Sequence, residues 1–403
     1  MRAARIEDFL PEPPGWTVDV QGLFESFPWM SKLIGVTQDA IHHGEGTLEK
    51  HLVLVLEALV GSAEFRSLSA EDRLVSFAAA LLHDVCKPET WALDEEGRIT
   101  NKGHSRMGAN EARQILWRAG WPFHMRERVC AIIAVHQVPF WLIEREQWRA
   151  DLAVVSTSLV VENRLLAIQA EADARGRVCP DRERLIENVE LYREACRDLG
   201  CYDRPFAFHN DHSRLQYFRS PDAKRPDVKL HDTTDEGFTV SIMSGMPGSG
   251  KSTWRDRERQ AGGLVAGQPV VSMDQIRFAA GTKPTDDQGR VQQEALRQAR
   301  EHLAARRSFV WDGVNLDWQR RQPLASLCLD YGARTRFVYV ETSADRLFSQ
   351  NEARKAQVPQ SVMQRMLRKW EPPTAVECHT VERVLPTNGA LTLNVHLQSA
   401  HHP

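Results

Sequence analysis

Residues 245–252, Gly-Met-Pro-Gly-Ser-Gly-Lys-Ser, satisfy the pattern G-x-x-x-x-G-K-[ST], and an apolar run containing Val240, Ile242 and Met243 leads straight into them. This spacing suits phosphate chemistry. Glycines at 245, 248 and 250 let backbone N–H groups turn inward around a triphosphate, which then sits at the positive end of the following helix. Lys251 is placed to reach the β and γ phosphates and the Ser252 hydroxyl to bind Mg²⁺, while Ser249, Gly250 and Thr253 complete the cradle. The expected ligand is ATP or another nucleoside triphosphate with Mg²⁺. A second set, His51, His83-Asp84, His104, His136 and Asp173, mixes imidazole with carboxylate. Taken singly, each histidine reads as a packed structural residue. As a group they suit one or two divalent transition ions of the Zn, Mn, Fe, Co or Ni class.

Each set needs its own scaffold. Leu48, His51, Leu52, Val55, Leu56 and Leu59 recur at helical spacing, and further helices are predicted over 71–86, from Gly103-His104 to about 119, over 125–137 and over 151–174. The five metal-type positions then fall on different helices or helix starts, as in a metal site inside a bundle. Beyond the glycine-rich loop, strands predicted at 269–274, 308–315 and 336–341 alternate with helices, which implies a parallel sheet. Asp274 and Asp312 lie at strand ends, where such sheets gather ligands and where phosphoryl transfer needs a base and an organiser of Mg²⁺. A helix cap is the plain alternative for Asp274 and a turn role for Asp312.

At 403 residues the chain suits two domains, and a net charge of -3 confines any nucleic-acid contact to local patches. We expect an all-α domain over 1–203, a linker over 204–236 containing Pro205, Pro221 and Pro226, and an α/β domain over 237–403. Phe206, Phe208, Tyr217 and Phe218 predict that part of the linker packs on a domain. A last strand is expected at 391–395, followed by a polar tail. Residues 1–35 are rich in proline and aromatics and show no clear period. The N-terminus lacks a signal-peptide core and no apolar run approaches the ~20 residues of a membrane span, so a cytoplasmic protein with no membrane partner is expected. The seven cysteines are scattered without a C-x-x-C pair and read as reduced, packed thiols.

The strings HHGEGTLEKH, LLHDVCKPE, GHSRMGANEA and QAEADARGR resemble the HD superfamily of metal-dependent phosphohydrolases, in particular the HD domain fused to CCA-adding tRNA nucleotidyltransferases. The resemblance implies that His51, His83, Asp84 and Asp173 hold one metal ion, that His104 and His136 hold a second ion or the scissile phosphate, and that Lys87 contacts phosphate oxygens. Cys86 stands where the family usually has glycine. The ligand types fit phosphoester hydrolysis, because a bound divalent ion yields hydroxide near neutral pH. His42, His43 and Glu45 precede the first ligand and read as surface residues near the site mouth.

In the second half, GMPGSGKSTW, SMDQIR, WDGVNLDWQRR and NEARKAQVP resemble the kinase domain of phage and bacterial polynucleotide 5′-kinases. That resemblance implies Asp274 as general base for a 5′-OH, Arg277 as a contact to the acceptor phosphate, Asp312 as holder of the Mg²⁺ and phosphate network, and Arg354 as the lid arginine. Gln350 stands where phage relatives carry another lid arginine. Arg320, Arg321, Arg365 and Arg368 read as solvated surface. Together the halves resemble bacterial bifunctional HD-domain polynucleotide kinases. This implies removal of 2′,3′-cyclic phosphate and 3′-phosphate together with phosphorylation of 5′-OH ends on single-stranded RNA or DNA, with a separate ligase acting downstream. Two other readings fit less of the pattern: a nucleoside-type kinase fused to an HD nucleotidase, and an ATP-dependent nucleotide-sensing switch.

Overall fold

The computed structural model describes residues 4–219, 237–281, 289–354, 357–387 and 390–394. The 220–236 part of the expected linker and the tail from 395 lie outside the described residues. The chain divides into two units, the first formed by the described residues up to 207 and the second by those from 208.

The first unit is built on seven longer helices: α1 (Leu48–Gly61), α2 (Ala70–Leu82), α3 (His104–Arg118), α4 (Phe123–Val135), α5 (Gln147–Ser158), α6 (Asn163–Arg175) and α7 (Arg182–Asp198). Leu48, Leu52, Val55, Leu56 and Leu59 of α1 are buried together, and His51 shares their face, so the apolar stripe that fixes the helix also sinks the imidazole. Ser69 caps α2 by accepting the Asp72 N–H at 3.1 Å, and Glu71 and Asp72 favour the same helix end. Gly103, at φ 83°, turns the chain into α3 so that His104 opens it.

The helix expected over 151–174 is two helices. Asn163 explains the break: its Nδ2 donates to the Val154 and Cys201 carbonyls at 3.2 and 2.9 Å, and its Oδ1 accepts from Thr157 and Tyr192 at 2.6 and 2.7 Å. These bonds tie Asn163 to the end of α5, to α7 and to the Cys201 carbonyl, and so fix the turn that separates the two helices. The unclaimed N-terminal stretch also contributes, since Ile6, Leu23, Met30 and Leu33 join the core of this unit.

The second unit carries a six-stranded sheet of β1 (Thr239–Ser244), β2 (Val270–Ser272), β3 (Phe309–Asp312), β4 (Arg334–Val340), β5 (Thr380–Thr387) and β6 (Ala390–Asn394), in the order β2-β3-β1-β4-β5-β6. Every pairing is parallel except β5 with β6. β1 is central, and Val240, Ile242 and Met243 are buried, as a strand covered on both faces requires. Helices α9 (Lys251–Gln260), α10 (Met273–Ala279), α11 (Gly289–Ala304), α12 (Trp318–Asp330), α13 (Ala344–Glu352) and α14 (Gln360–Leu367) follow the strands. Register places Ser272 opposite Asp312, so the ends of β2 and β3 open at one edge.

One boundary needs correction. The segment expected as linker contains α8 (Asp211–Arg219), which belongs to the second unit. Leu215 and Tyr217 are buried there, and the Arg214 guanidinium donates to the Ala375, Cys378 and His379 carbonyls at 2.9, 3.2 and 2.6 Å. Its polar composition therefore reflects backbone pairing as well as solvation. The expected last strand is present as β6, the outer half of a hairpin; its inner strand, β5, is not among the expected strands because Glu382, Arg383 and Pro386 leave it without a clean apolar pattern.

Candidate active sites

Five elements of the first unit deliver the metal-type residues to one place. His51 comes from α1, His83 and Asp84 from the turn ending α2, His104 from the start of α3, His136 from the end of α4 and Asp173 from α6. All are buried. His51 Nε2 lies 3.2 Å from Asp173 Oδ1, and His83 Nε2 lies 3.1 Å from Asp84 Oδ2. His104 Nε2 lies 3.4 Å from both Asp84 Oδ1 and His136 Nε2. Two groups result, His51/His83/Asp173 and Asp84/His104/His136, each with its ligand atoms close enough for one ion. Asp84 reaches toward both, which differs from the grouping implied by resemblance.

The rings are aimed. His83, His104 and His136 each turn Nδ1 to the carbonyl three residues earlier, Ala80, Asn101 and Ile133, at 2.8, 2.7 and 2.8 Å. His51 Nδ1 faces Glu45 Oε1 at 3.0 Å and the Gly176 carbonyl at 3.3 Å. Each Nε2 is thereby directed inward, the outer-layer arrangement that orients metal ligands. His51 Nε2, His83 Nε2 and Asp84 Oδ1 are buried, and although each lies close to a neighbouring carboxylate or ring, none is aligned for a hydrogen bond. Buried polar atoms rarely remain unbonded, and a divalent ion would satisfy all three. The residues present fit such an ion.

Apart from His83, the charges agree with that reading. Burial pulls the His83 imidazole down, but Asp84 outweighs it and raises His83 above its ordinary range, so an ion would have to displace that proton. Burial pushes the Asp84 carboxyl up, but His83 and Lys87 outweigh it and hold Asp84 well below the usual carboxylate range. Asp173 is held low in the same way by Arg177 and His51. Burial, reinforced by His83 and His104, brings His136 down to about 3, so its imidazole is neutral and able to ligate.

Sequence reasoning missed three supporting residues. Arg177 grips Asp173 with paired bonds of 3.0 and 2.9 Å; their i, i+4 spacing on one helix end was the available signal. His43 and Glu45 are not surface residues: the His43 and Glu45 side chains are 9% and 3% exposed, and Glu45 bridges the two histidines at 2.7 and 3.0 Å. His42 is exposed, as expected. Lys87 is buried and bonds Asp84 Oδ2 at 2.8 Å and Gln38 Oε1 at 2.7 Å. A cavity of about 380 Å³ opens onto the constellation, lined in part by His43, Lys87, His104 and Arg177.

In the second unit the loop after β1 adopts the phosphate-binding form. Gly245 and Gly248 have φ of 148° and 84°, and a Cβ at Gly245 would lie 2.3 Å from the Val340 carbonyl oxygen, so side chains are excluded. Lys251 Nζ donates to the Gly245 and Met246 carbonyls at 2.8 Å each. Burial lowers its ammonium to about 8, against the pull of Asp312. Ser249 is buried, with an Oγ that has no hydrogen-bond partner, whereas Ser252 and Thr253 are exposed at the start of α9.

Asp312 pairs with Arg255, an arginine of α9 that sequence reasoning did not single out. Burial raises the Asp312 carboxyl in spite of Arg255 and Lys251. The cap of α10 is Ser272, whose Oγ accepts the Gln275 N–H at 3.4 Å, so Asp274 is not spent on capping. Asp274 has a side chain 73% exposed, pairs with Arg277 and lies 4.0 Å from Arg354 Nη2. These three predicted residues therefore stand together. Gln350, with its amide nitrogen toward Gly248, bonds that carbonyl at 2.5 Å and accepts from Arg346 Nε at 3.1 Å. Of the remaining arginines, Arg320, Arg365 and Arg368 are exposed. Arg321 corrects its expectation: it is 1% exposed and bonds Glu377 at 2.5 and 2.9 Å and the Glu371 carbonyl at 2.6 Å.

Comparison with known proteins agrees with this division. Residues 48–160 match the HD domain family and residues 240–373 match a family described as AAA domain. An A-adding tRNA nucleotidyltransferase of Deinococcus radiodurans is 33% identical over 124 residues, 30% of this chain and 27% of that protein. A CC-adding tRNA nucleotidyltransferase of Thermus thermophilus is 34% identical over 110 residues, 27% of this chain and 24% of that protein. The chain thus spans about a quarter of the length of these curated relatives. A gluconokinase structure from Sinorhizobium meliloti 1021 is 24% identical, covering 36% of this chain and 82% of that one with a TM-score of 0.27. The chain joins an HD domain of the phosphohydrolase type to a kinase-like P-loop domain.

Proposed function

We propose that this chain heals nucleic-acid ends, clearing 2′,3′-cyclic phosphate or 3′-phosphate at its HD site and phosphorylating 5′-OH ends at its P-loop site. The observation that carries the reading is the open placement of Asp274. A base for a small acceptor works inside an engulfing pocket, whereas the Asp274 side chain is largely exposed beside Arg277 and Arg354. That suits the end of a polymer whose remainder stays in solvent.

In the transfer step Asp274 takes the proton of the 5′-OH as its oxygen attacks the γ-phosphorus of ATP, and the bond to the β–γ bridging oxygen breaks, releasing ADP. Lys251 and Arg354 offset charge on the transferring group, and Arg277 holds the acceptor's following phosphate. The Arg255–Asp312 pair fixes a carboxylate beside the loop for the Mg²⁺ and phosphate network. At the HD site the two histidine and aspartate groups would hold one or two divalent ions, which supply hydroxide near neutral pH and neutralise phosphate charge. Lys87, already directed at Asp84, contacts phosphate oxygens from the cavity side. RNA or DNA single strands are the proposed substrates, and a separate ligase the downstream partner.

The test is a single-stranded oligonucleotide bearing 5′-OH and 2′,3′-cyclic phosphate ends, incubated with ATP, Mg²⁺ and Mn²⁺. Asp274→Ala is expected to abolish 5′ phosphorylation alone and Asp84→Ala to abolish 3′ clearance alone. If the wild type changes neither end while phosphorylating a nucleoside or sugar, the polynucleotide reading is wrong.

A further inference from the structure

The cavity at the HD site is larger than a phosphate group needs, and its wall offers both charged and aromatic side chains. His43, Lys87, His104 and Arg177 crowd the side next to the metal-type residues, each 7% exposed or less. Trp141 and Leu185 line the same cavity. Trp141 ends a short turn, residues 138–141, that starts two residues beyond His136 and leaves the ring half-buried against the core. The turn is fastened: Asn188 Nδ2 of α7 donates to the Phe140 carbonyl at 2.7 Å, and the Arg177 guanidinium lies 4.9 Å from the Phe140 ring centroid. The residue that holds Asp173 thus also packs against the turn bearing Trp141. A phosphate seated on these cationic residues would hold whatever it is esterified to in the same cavity that the Trp141 side chain lines. About 380 Å³ falls in the range of small-molecule ligand sites and leaves room for a nucleoside beyond the phosphate.

We infer that Trp141 is a stacking platform for the nucleobase of the terminal nucleotide, so that the HD site selects nucleotide phosphates over phosphoesters that lack a base. This rests on the phosphoesterase reading of the same site and narrows its substrate class. Stacking is indifferent to base identity because every base offers a π face. The site should therefore accept all four ends.

The test uses the full chain carrying Lys251→Ala, which weakens nucleotide binding at the P-loop. Affinity for adenosine 3′-monophosphate and for ribose 5-phosphate is measured by calorimetry, alongside kcat and KM on 2′,3′-cyclic AMP. Adding Trp141→Ala is expected to weaken the nucleotide roughly 5- to 150-fold, the range of one base on an aromatic ring. Ribose phosphate affinity should stay within about twofold, kcat should hold while KM rises, and Trp141→Phe should restore most of the affinity. Equal weakening of both ligands, or of neither, overturns the platform. Base-dependent binding through Trp141 without hydrolysis supports the platform and instead overturns the phosphoesterase reading. Hydrolysis unaffected by Trp141→Ala does the reverse.

Discussion

Asp173 is fully buried, and its charge is balanced by the paired contact from Arg177 four residues on. Removing one partner of a buried pair leaves an uncompensated charge and costs roughly 3–5 kcal/mol. Arg177→Ala should accordingly lower the unfolding temperature, and added Mn²⁺ should recover more stability in the variant than in the wild type. Equal Mn²⁺ gains in both proteins would show that Arg177 and the ion do not share Asp173. Glu45 acts one layer out, through His51 and His43. Glu45→Gln should weaken metal affinity roughly 10- to 100-fold, the range for outer-layer partners, measured by titration of metal-free protein. The inner residues were legible because histidines and aspartates recur at helix starts and ends among apolar neighbours. Arg177, Glu45 and Arg255 were not, because a charged residue on a helix or loop defaults to the surface until packing shows which carboxylate or imidazole it meets.

Arg113 of α3 clamps the two helices by bonding Glu127 of α4 through Nε at 3.1 and 3.0 Å, and the neighbouring Arg126 holds the same carboxylate through Nε at 2.8 Å. Burial pushes this carboxyl up, but the two guanidinium groups outweigh it and hold it below the ordinary range. A depressed pKa contributes stability above the unfolded value of about 4.3 and loses it as pH falls through the folded one. Glu127→Gln should thus destabilise the first unit at pH 7 by roughly the 1.5–3 kcal/mol of a hydrogen bond to a charged group, with the gap to wild type closing below about pH 4. A gap constant with pH would sink this account. Between α5 and α6, Asn163→Ala strips partners from Thr157, Tyr192 and two carbonyls. It should destabilise the first unit by more than the roughly 1–3 kcal/mol of one unsatisfied buried group, read from denaturant midpoints. Helical periodicity revealed most of the helices. It could not reveal this break, because Thr157, Val160 and Val161 continue an acceptable helical pattern and the bonds that end it come from α7 and Cys201.

Each unit has its own hydrophobic core, one of helices alone and one on both faces of the sheet. The P-loop motif announced the second core directly, and the histidine spacing announced the first. The passage between them was less legible, because α8 spends Arg214 on carbonyls of the second unit and so reads as solvated chain. Separate cores predict separate cooperative transitions, since two-state behaviour belongs to single domains. Ligands that bind only folded protein stabilise it by about 2.7 kcal/mol at one hundred times their Kd. Calorimetric scans should therefore resolve two transitions, with ATP and Mg²⁺ raising one and Mn²⁺ added to metal-free protein raising the other. Lys251→Ala should cancel the ATP shift and Asp84→Ala the Mn²⁺ shift, each leaving the other intact. A single transition moved by both ligands would mean that the two cores unfold as one unit, and that a substitution in either site weakens the chemistry of both.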